Sequence, residues 1–175
     1  MSIMTDQIPV LDTPRLTLRA PQARDLPTLT AFYDTERSHA VGGPRDPDEA
    51  FNSLASRIGH WAMLGYGLWH VDGRKSGDFL GWVGLLNPPS WDEPELAWTV
   101  FAHGEGKGMA YEAAMAARAF AAQHMKLDRP ISYIRPDNTR SIALAERLGA
   151  VLETTKHWRG KDCHIYRHPS ALEAT

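Results

Sequence analysis

The sequence predicts one mixed α/β domain, with a mainly antiparallel central sheet of six to seven strands and about four helices on both of its faces. Three observations indicate this class: an alternating apolar and polar segment near the start, three further strand-like segments in succession, and an alanine-rich stretch followed by another strand and helix. The 175 residues, 43% of them hydrophobic, suffice for one buried core. We place the domain at residues 13–168, between an N-terminal extension (1–12) and a C-terminal tail (169–175).

The first third of the chain predicts a strand followed by two helices. Apolar and polar residues alternate over residues 15–20, and a proline ends this strand. Asp25 precedes apolar residues at helical spacing, and Asp46 or Asp48 can cap a second helix. Between the helices, residues 39–47 are rich in glycine and proline, a composition that predicts a mobile loop.

The remainder of the chain predicts an antiparallel meander, a long helix, a strand with a second helix, and a closing hairpin. Alanine dominates the long helix, and it is the residue with the highest helix propensity. Gly149 ends the second helix, and Gly160 lies at the turn of the hairpin. The predicted elements are strands at 67–71, 79–86 and 95–101, a helix at 109–124, a strand at 131–134, a helix at 138–148, and strands at 151–158 and 161–167.

Charge and cysteine content exclude several classes of protein. The 19 basic and 21 acidic residues are interspersed, so no long-range field favours nucleic acid or an acidic membrane. The single cysteine, Cys163, excludes an internal disulfide framework and fits a reducing cytosol. Because the sequence contains neither an export signal nor an apolar run that could span a membrane, we expect a cytoplasmic protein without nucleic-acid or membrane partners.

A glycine-rich turn joins the third meander strand to the alanine-rich helix. N–H groups at a helix start lack partners, glycines let phosphate oxygens approach, and the helix dipole favours an anion. A Walker A loop needs Ser or Thr at position 108, and a dinucleotide fingerprint needs glycine at position 109, so neither motif fits. A flexible connection without a ligand stays open on the turn alone. The turn runs from His103 to Ala110 and contains Gly104, Gly106, Lys107 and Gly108.

Three segments resemble the GNAT acetyltransferase superfamily. Glu95–Phe101 with the turn and the Met-Ala-Tyr-Glu that follows resembles the family's central motif, and Asn138–Ala150 is similar to its Asn-x-x-Ser helix. The start, Thr13–Arg19, resembles that of the branch that includes ribosomal-protein N-terminal acetyltransferases. The resemblance covers residues 13–168 in the expected order.

The resemblance implies acetyl-coenzyme A (acetyl-CoA) as cosubstrate; the lack of a metal-ligand motif in the residues leads us to expect no metal. It implies that the turn holds the coenzyme pyrophosphate, that the preceding strand pairs with the pantetheine amides through its backbone, and that two residues of the later helix lie near the thioester. A homodimer is an expectation that rests on the family alone. The implied coenzyme site comprises Thr99, Val100, Phe101, His103, Gly104, Gly106, Lys107, Gly108, Met109, Ala110, Asn138 and Ser141.

Two positions depart from the family pattern. His103 lies three residues before Gly106, where the family usually has Arg or Gln, so we expect weaker or pH-dependent phosphate binding. Ala145 occupies the place where many members carry a tyrosine thought to protonate the leaving thiolate, so that acid is missing here.

Direct acetyl transfer to an amine needs a base, a donor for the oxyanion, and a route for thiolate release. Glu95 is the candidate base, acting through water; a solvent-exposed edge carboxylate is the alternative interpretation. Ser141 is the hydroxyl nearest the expected thiolate, although a thiol of pKa about 8.5 leaves without an acid. An ordinary helix residue is the alternative for Ser141. The backbone N–H of Val100 or Phe101 could hold the oxyanion.

Other suggestive residues form no site by their spacing. Cys163 and His164 are adjacent on a predicted strand and point to opposite faces, so they cannot form a nucleophile–base pair, and we expect Cys163 in the core. The sequence contains no metal-ligand motif. Trp91 lies in a loop expected to border the acceptor cleft, where Asp92 and Glu93 could attract a cationic amine; a packed tryptophan in an exposed loop is the alternative.

We therefore expect an enzyme that moves an acetyl group from acetyl-CoA to a primary amine in a ternary complex, without a covalent enzyme intermediate. The branch resemblance favours a protein or peptide N-terminus as acceptor. At pH 7 an α-amine of pKa about 7.8 is free base in roughly one molecule in seven, against fewer than about one in a thousand for a lysine near 10.4. A small amine (polyamine, aminoglycoside or amino acid), a non-catalytic acyl-CoA sensor and an unrelated phosphate-binding module remain alternatives.

Overall fold

A computed structural model describes residues 7–158 and 160–173 of the chain. Its strands form one eight-stranded sheet in the order β1-β2-β3-β4-β5-β6-β8-β7. The strands are β1 (Leu11–Asp12), β2 (Leu16–Arg19), β3 (Leu68–Gly73), β4 (Phe79–Leu86), β5 (Glu95–Val100), β6 (Ile131–Ile134), β7 (Val151–Trp158) and β8 (Lys161–Arg167). The α-helices are α1 (Leu26–Tyr33), α2 (Pro47–Leu64), α3 (Met109–Met125) and α4 (Thr139–Arg147). The predicted mixed, mainly antiparallel class is confirmed.

The strand count exceeds the predicted six to seven because the two-residue strand β1 was not expected. Leu11 pairs with Leu18 and Asp12 pairs with Thr17, which adds β1 to the edge of the sheet beside β2. Nearby, Ile8 is buried in the core. Two residues are too few to show the alternation by which a strand is recognised in a sequence.

The sheet divides at one point, between β5 and β6. These two strands are parallel, and their register pairs Glu95 with Ile131. Among the described residues, this is the only bridged pair between the two strands. One edge of β5 is therefore left to pair with an added segment, while its other edge is bonded to β4.

Helices cover both faces of the sheet. Because successive residues of a strand point to opposite faces, Trp69 and Val83 pack with α3, whereas Leu68 and Trp82 pack with α1 and α2. The buried side of α3 consists largely of alanines, which let the helix lie close to the sheet: Ala113, Ala114, Ala117 and Ala121. None of the helices in the described ranges is long and apolar enough to cross a membrane.

The connection between α1 and α2 is more ordered than its composition predicts. Residues 39–41, which we expected in an irregular loop, belong instead to a 3-10 turn, Glu36–Val41. The Ser38 hydroxyl donates to the carbonyls of Tyr33 (3.0 Å) and Thr35 (2.7 Å), and these side-chain bonds hold the turn. The connection therefore contains a hydrogen-bonded turn where an irregular loop was expected.

Helix α2 begins as the sequence indicates. Asp46 is the N-cap: its carboxylate accepts from the backbone N–H of Glu49 (2.8 Å), and the Glu49 carboxylate accepts from that of Asp46 (2.9 Å). This reciprocal pair is a capping box. Asp48, the other candidate cap, lies in the first turn of the helix.

Candidate active site

Glu95 lies where β5 and β6 separate. Only 8% of the residue is exposed, so the interpretation as a solvent-exposed carboxylate is wrong. The Trp91 indole N–H donates to its Oε2 (2.6 Å), and the backbone N–H of Tyr133 donates to its Oε1 (3.2 Å). The carboxylate is therefore held in place from both sides of the split.

The Trp91 ring that bonds Glu95 belongs to a cluster of three aromatic rings. The Trp91 ring meets those of Tyr133 and Trp158 edge to face, with ring centres 6.0 and 4.7 Å apart, and Tyr133 stacks on Trp158 at 4.8 Å. Burial raises the pKa of Glu95 to about 7, and the two hydrogen bonds oppose that rise. A carboxyl with this pKa exchanges its proton near neutrality, as a general base must.

Glu95 lines a cavity of about 840 Å³, which we call the acceptor cavity. Its walls come from helices α1, α2 and α4, from strands β3 to β8, and from the 3-10 turn and the loop that carries Trp91. Most of its lining residues are thus far apart in sequence.

Asp92 and Glu93 do not contribute the charge that we expected of them. Asp92 pairs with Lys156, and Glu93 forms a two-pronged ion pair with Arg167 (Nη2 to Oε1, 2.7 Å). Neither carboxylate lines the acceptor cavity. The expectation that they attract a cationic amine is therefore wrong, because each carboxylate is already ion-paired and neither lines the cavity.

A second cavity of about 700 Å³, the coenzyme cavity, adjoins the first. Trp98, Thr99 and Ser141 line both cavities, so the two are contiguous along β5 and the start of α4. Nine of the twelve residues predicted for the coenzyme site line this second cavity: Thr99, Val100, Gly104, Gly106, Gly108, Met109, Ala110, Asn138 and Ser141.

The glycine-rich turn has a backbone that suits an anion. Gly106 (φ +70°) and Gly108 (φ +73°) both adopt the left-handed region that glycine enters without strain. Gly108 is the N-cap of α3 and supplies no capping side chain, so the N–H groups of the first helical turn lack that acceptor. The residues present thus fit a coenzyme pyrophosphate at the start of α3.

Two arginines add positive charge beside this turn, and the sequence pattern did not single them out. Arg37, from the 3-10 turn, and Arg140, from α4, both pair with the Glu105 carboxylate; Arg140 Nη1 lies 3.1 Å from Oε1. All three line the coenzyme cavity. The cavity is therefore bordered by cations from two separate elements.

Phe101 is turned away from the coenzyme cavity. Its side chain is buried beside Phe32 and Trp82, and its N–H donates to the Leu80 carbonyl (2.7 Å). Because bonding direction alternates along an antiparallel pair, the N–H of the preceding residue, Val100, points toward the β6 side. Of the two oxyanion donors considered from the sequence, Val100 is the one not already bonded to β4.

His103 and Lys107 also lie outside the lining of the coenzyme cavity. The Lys107 ammonium donates to the His103 carbonyl (3.0 Å), and the Lys107 carbonyl accepts from Arg15 Nη1 (2.7 Å). Both residues thus shape the turn through backbone carbonyls. The Lys107 ammonium is thus bonded to a backbone carbonyl of the turn, and it does not line the coenzyme cavity.

Asn138 and Ser141 lie at the start of α4. Asn138 Oδ1 accepts from the backbone N–H of Ser141 (3.2 Å) and so caps the helix. The Ser141 hydroxyl faces the junction of the cavities and bonds to none of the described residues. Ala145 is fully buried and lines neither cavity.

Comparison with known proteins decides the family. The family model described as "Acetyltransferase (GNAT) domain" matches residues 15–151. The chain belongs to the GNAT acetyltransferase family. It is accordingly an acetyl-CoA-dependent N-acetyltransferase.

Solved and curated relatives match over nearly the whole chain. An acetyltransferase from Agrobacterium tumefaciens strain C58 is 34% identical, covers 93% of this chain and 95% of its own, and has a TM-score of 0.85. YkkB of Bacillus subtilis strain 168 is 25% identical over 164 residues, 91% of this chain and 95% of YkkB. The ribosomal L7/L12 alpha-N-protein acetyltransferase RimL, solved with coenzyme A, shares the fold: 16% identity, 94% and 100% coverage, TM-score 0.79.

The opening segment of this GNAT protein is tied to α3, a contact that the sequence pattern did not predict. Thr13 Oγ1 donates to Glu112 Oε1 (2.6 Å), and the Arg15 guanidinium donates to Glu112 Oε2 (2.6 Å). Because Arg15 also bonds to Lys107, this segment supports the coenzyme turn from outside.

The expectation that Cys163 is a core residue is confirmed. It is buried, and burial raises the pKa of its thiol to about 11, so the thiol stays protonated near neutrality. Across residues 7–158 and 160–173, no group of three or more His, Cys, Asp or Glu side chains is placed to hold a metal ion.

Proposed function

We propose that this acetyltransferase acetylates a primary amine directly in a ternary complex, with Glu95 as general base and a protein or peptide N-terminus as preferred acceptor. One observation carries the proposal: a buried carboxyl with a pKa of about 7 lines the acceptor cavity at the start of β5, the strand whose residues Trp98 and Thr99 line both cavities. Acetyl-CoA supplies a thioester carbonyl that an amine can attack once the amine has lost its proton.

The chain's own residues cover the remaining steps. Glu95 takes the proton from the ammonium of the acceptor, directly or through one water molecule, so that the neutral amine attacks the thioester carbonyl. When the tetrahedral adduct collapses, the C–S bond breaks and the surplus proton on nitrogen passes to the departing thiolate, which gives the amide and the free thiol. The N–H of Val100 stabilises the negative oxygen that develops on the carbonyl, and the Ser141 hydroxyl hydrogen-bonds the departing thiolate. The first-turn N–H groups of α3, with Arg37 and Arg140 beside them, hold the phosphates.

The pKa of Glu95 favours an α-amine as acceptor. Proton transfer from an ammonium of pKa about 7.8 to a base of pKa about 7 is nearly balanced, whereas transfer from a lysine ammonium is uphill by more than about three pKa units. RimL, which shares this fold, is named as an alpha-N-protein acetyltransferase and was solved with coenzyme A, which supports an N-terminal acceptor.

The test supplies the wild-type enzyme with acetyl-CoA and three kinds of acceptor. These are a peptide with a free α-amine, the same peptide with its N-terminus blocked and one lysine added, and a small polyamine. Thiol release gives the rate and mass spectrometry locates the acetyl group. We expect acetylation of the α-amine with a kcat/KM at least about tenfold above those of the other two acceptors.

Other outcomes decide between the alternatives. Turnover of the polyamine alone would replace the N-terminal acceptor by a small amine. Tight binding of acetyl-CoA without turnover of any amine would favour a non-catalytic sensor, and binding of nucleotides but not of coenzyme A would favour a phosphate-binding module.

A further inference from the structure

A buried cation lines the acceptor cavity, and the chemistry proposed above does not use it. Arg57 lies on α2, between Leu54 and Trp61 on the buried side of that helix, and only 6% of it is exposed. Its guanidinium lies over the Trp82 ring, 3.7 Å from the ring centre. Burying a charged group costs free energy unless an opposite charge is close.

Both hydrogen-bond partners of Arg57 are neutral. Its Nη1 lies 3.0 Å from His70 Nε2, and its Nη2 donates to the Tyr33 hydroxyl (3.1 Å). His70 Nδ1 lies 2.6 Å from an Asp25 carboxylate oxygen, which assigns the ring proton to Nδ1 and leaves Nε2 as an acceptor. Burial lowers the pKa of His70 to about 4, so this ring is uncharged at neutral pH.

The carboxylates near Arg57 and His70 pair with a different arginine, Arg19, which does not line the acceptor cavity. Asp25 and Asp72 both bind Arg19, with Nη2 to Oδ1 and Nε to Oδ2 distances of 2.7 and 2.5 Å. The two aspartates equal Arg19 and Arg57 in number of charges. Neither aspartate lines the acceptor cavity, however, whereas Arg57 does. No carboxylate of a described residue lies within 4.0 Å of the Arg57 guanidinium. The network thus presents its cationic end to the cavity.

Donors for an anion remain at this end of the cavity. A guanidinium has five N–H groups, and the contacts to His70 and Tyr33 account for two. Arg45 also lines the cavity, with its guanidinium carbon 4.7 Å from the centre of the Tyr33 ring, and it forms no ion pair with a described residue. Burial lowers the pKa of Arg57 to about 10, so the residue stays charged at neutral pH while bearing a desolvation cost that an anion would relieve.

We propose that Arg57, assisted by Arg45 and the Tyr33 hydroxyl, binds a carboxylate of the acceptor, so that the preferred acceptor is an amine that also carries a carboxylate. A planar guanidinium suits this group because it can donate two parallel hydrogen bonds. The inference rests on the proposed function, in which Glu95 receives the amine. The carboxylate belongs either to a free amino acid or to an acidic side chain next to a peptide N-terminus.

Matched acceptors that differ only in the anionic group test this subsite and separate the two sources. The first pair is alanine and alaninamide, with rates expressed per free-base amine because amidation lowers the amine pKa. The second pair is alanyl-aspartyl-glycinamide and alanyl-asparaginyl-glycinamide. In the wild type we expect the anionic member of one pair to be preferred in kcat/KM by roughly 10- to 100-fold, the range for a charge-assisted hydrogen-bonded pair.

Three variants locate the preference. Arg57→Met should bring the ratio of kcat/KM for the anionic acceptor to that for the neutral one to about one. Arg57→Lys should leave an intermediate ratio, because the charge stays but the paired hydrogen bonds of the guanidinium are lost. Arg45→Met, on a partly exposed segment, should lower the ratio roughly threefold and covers the case in which Arg57→Met does not fold. Arg24→Met removes an exposed arginine that lines neither cavity, and it should keep the wild-type ratio.

A binding measurement that needs no turnover separates the two proposals. Calorimetry compares N-acetylalanine with N-acetylalaninamide, and the N-acetylated aspartyl with the asparaginyl peptide, in the presence of coenzyme A. Selective anion binding that Arg57→Met or Arg45→Met weakens, without acetyl transfer, would support the subsite and remove the proposed function. Acetyl transfer with a ratio of one or below, or a ratio unchanged in the Arg57 and Arg45 variants, would overturn the subsite alone. Absence of both transfer and selective binding would overturn both proposals.

Discussion

The coenzyme turn occupies eight consecutive residues, 103–110, whereas the lining of the acceptor cavity comes from nine helices and strands between Tyr33 and Cys163. The turn works through its backbone, so its chemistry depends on where glycines stand beside a helix start. The cavity works through side chains whose properties arise from burial, as the pKa of Glu95 and the unrelieved charge of Arg57 show. The chemistry of the turn thus depends on neighbouring residues in the sequence, whereas that of the cavity depends on side chains that only folding brings together.

The largest expected effect comes from the side-chain region. Glu95→Gln should lower kcat by about 10²- to 10⁴-fold, the usual contribution of a general base, while the affinity for acetyl-CoA stays unchanged. In the wild type, kcat/KM should rise with pH and level off above about pH 7, because Glu95 must be deprotonated to act. Steady-state rates from pH 5 to 9 check both statements.

A control separates Glu95 from the acceptor, whose amine also titrates. The rise of kcat/KM near pH 7 should stay at the same pH when the acceptor is exchanged for one of different amine pKa. If the pH of this rise shifts with the amine pKa of the acceptor, or if Glu95→Gln keeps a normal kcat, the amine needs no base from the enzyme.

The next effect probes the backbone region. Gly106→Glu should weaken acetyl-CoA binding by roughly 100-fold or more, since a carboxylate within about 4 Å of a phosphate repels it by several kcal/mol at an effective dielectric constant of about 20. A Cβ at Gly106 meets no atom within 4 Å, so the fold has room for the new side chain. Calorimetric titration with acetyl-CoA measures the loss.

Gly106→Asn is the matched variant. Asparagine enters the left-handed region more readily than most residues and adds no charge, so its affinity should fall by no more than about fivefold. Equal losses in both variants would attribute the effect to backbone strain, and no loss in either would place the coenzyme phosphates elsewhere.

The two regions also differ in how far the sequence predicts them. Periodicity and turn residues were enough for the meander, the alanine-rich helix and the closing hairpin, because these signals are local. The two-residue strand β1 and the 3-10 turn held by Ser38 carry no such signal, and only tertiary contacts reveal them. Glu95 was identified through a resemblance, yet its burial depends on Trp91, Tyr133 and Trp158, which the sequence separates by up to 67 positions.

Arg57 shows where a sequence signal was present but was not used. It occupies a position on the apolar side of α2, three residues after Leu54 and four before Trp61. A charge at such a position is expected to be buried and therefore to have a partner or a function. Asp92 and Glu93 show the converse, because nothing in their sequence neighbourhood indicates that Lys156 and Arg167 neutralise them.

A smaller effect concerns stability. Since the pKa of Glu95 is raised from 4.5 to about 7, the folded state favours the protonated form, and the stabilisation present below about pH 4.5 is lost as pH rises through 7. Ionised Glu95 then lowers the free energy of unfolding by about 3 kcal/mol at pH 8.5. Glu95→Gln should therefore melt several degrees higher than the wild type at pH 8.5, with the difference vanishing near pH 4. A variant that melts lower at both values would contradict the burial of a charged carboxylate.

The smallest expected effect concerns Arg15, which links the N-terminal segment to α3 and to the coenzyme turn. Arg15→Met removes the ion pair to Glu112 and the hydrogen bond to the Lys107 carbonyl, and it should lower the free energy of unfolding by about 0.5–1 kcal/mol, because Arg15 is half exposed. Affinity for acetyl-CoA should fall about two- to fivefold, since the turn loses an outer support. Arg74→Met is the matched control, because Arg74 bonds to the carbonyl of Thr13 but not to the turn. Lower stability with unchanged coenzyme affinity in Arg15→Met would mean that this segment anchors α3 alone and that the turn keeps its shape through its glycines.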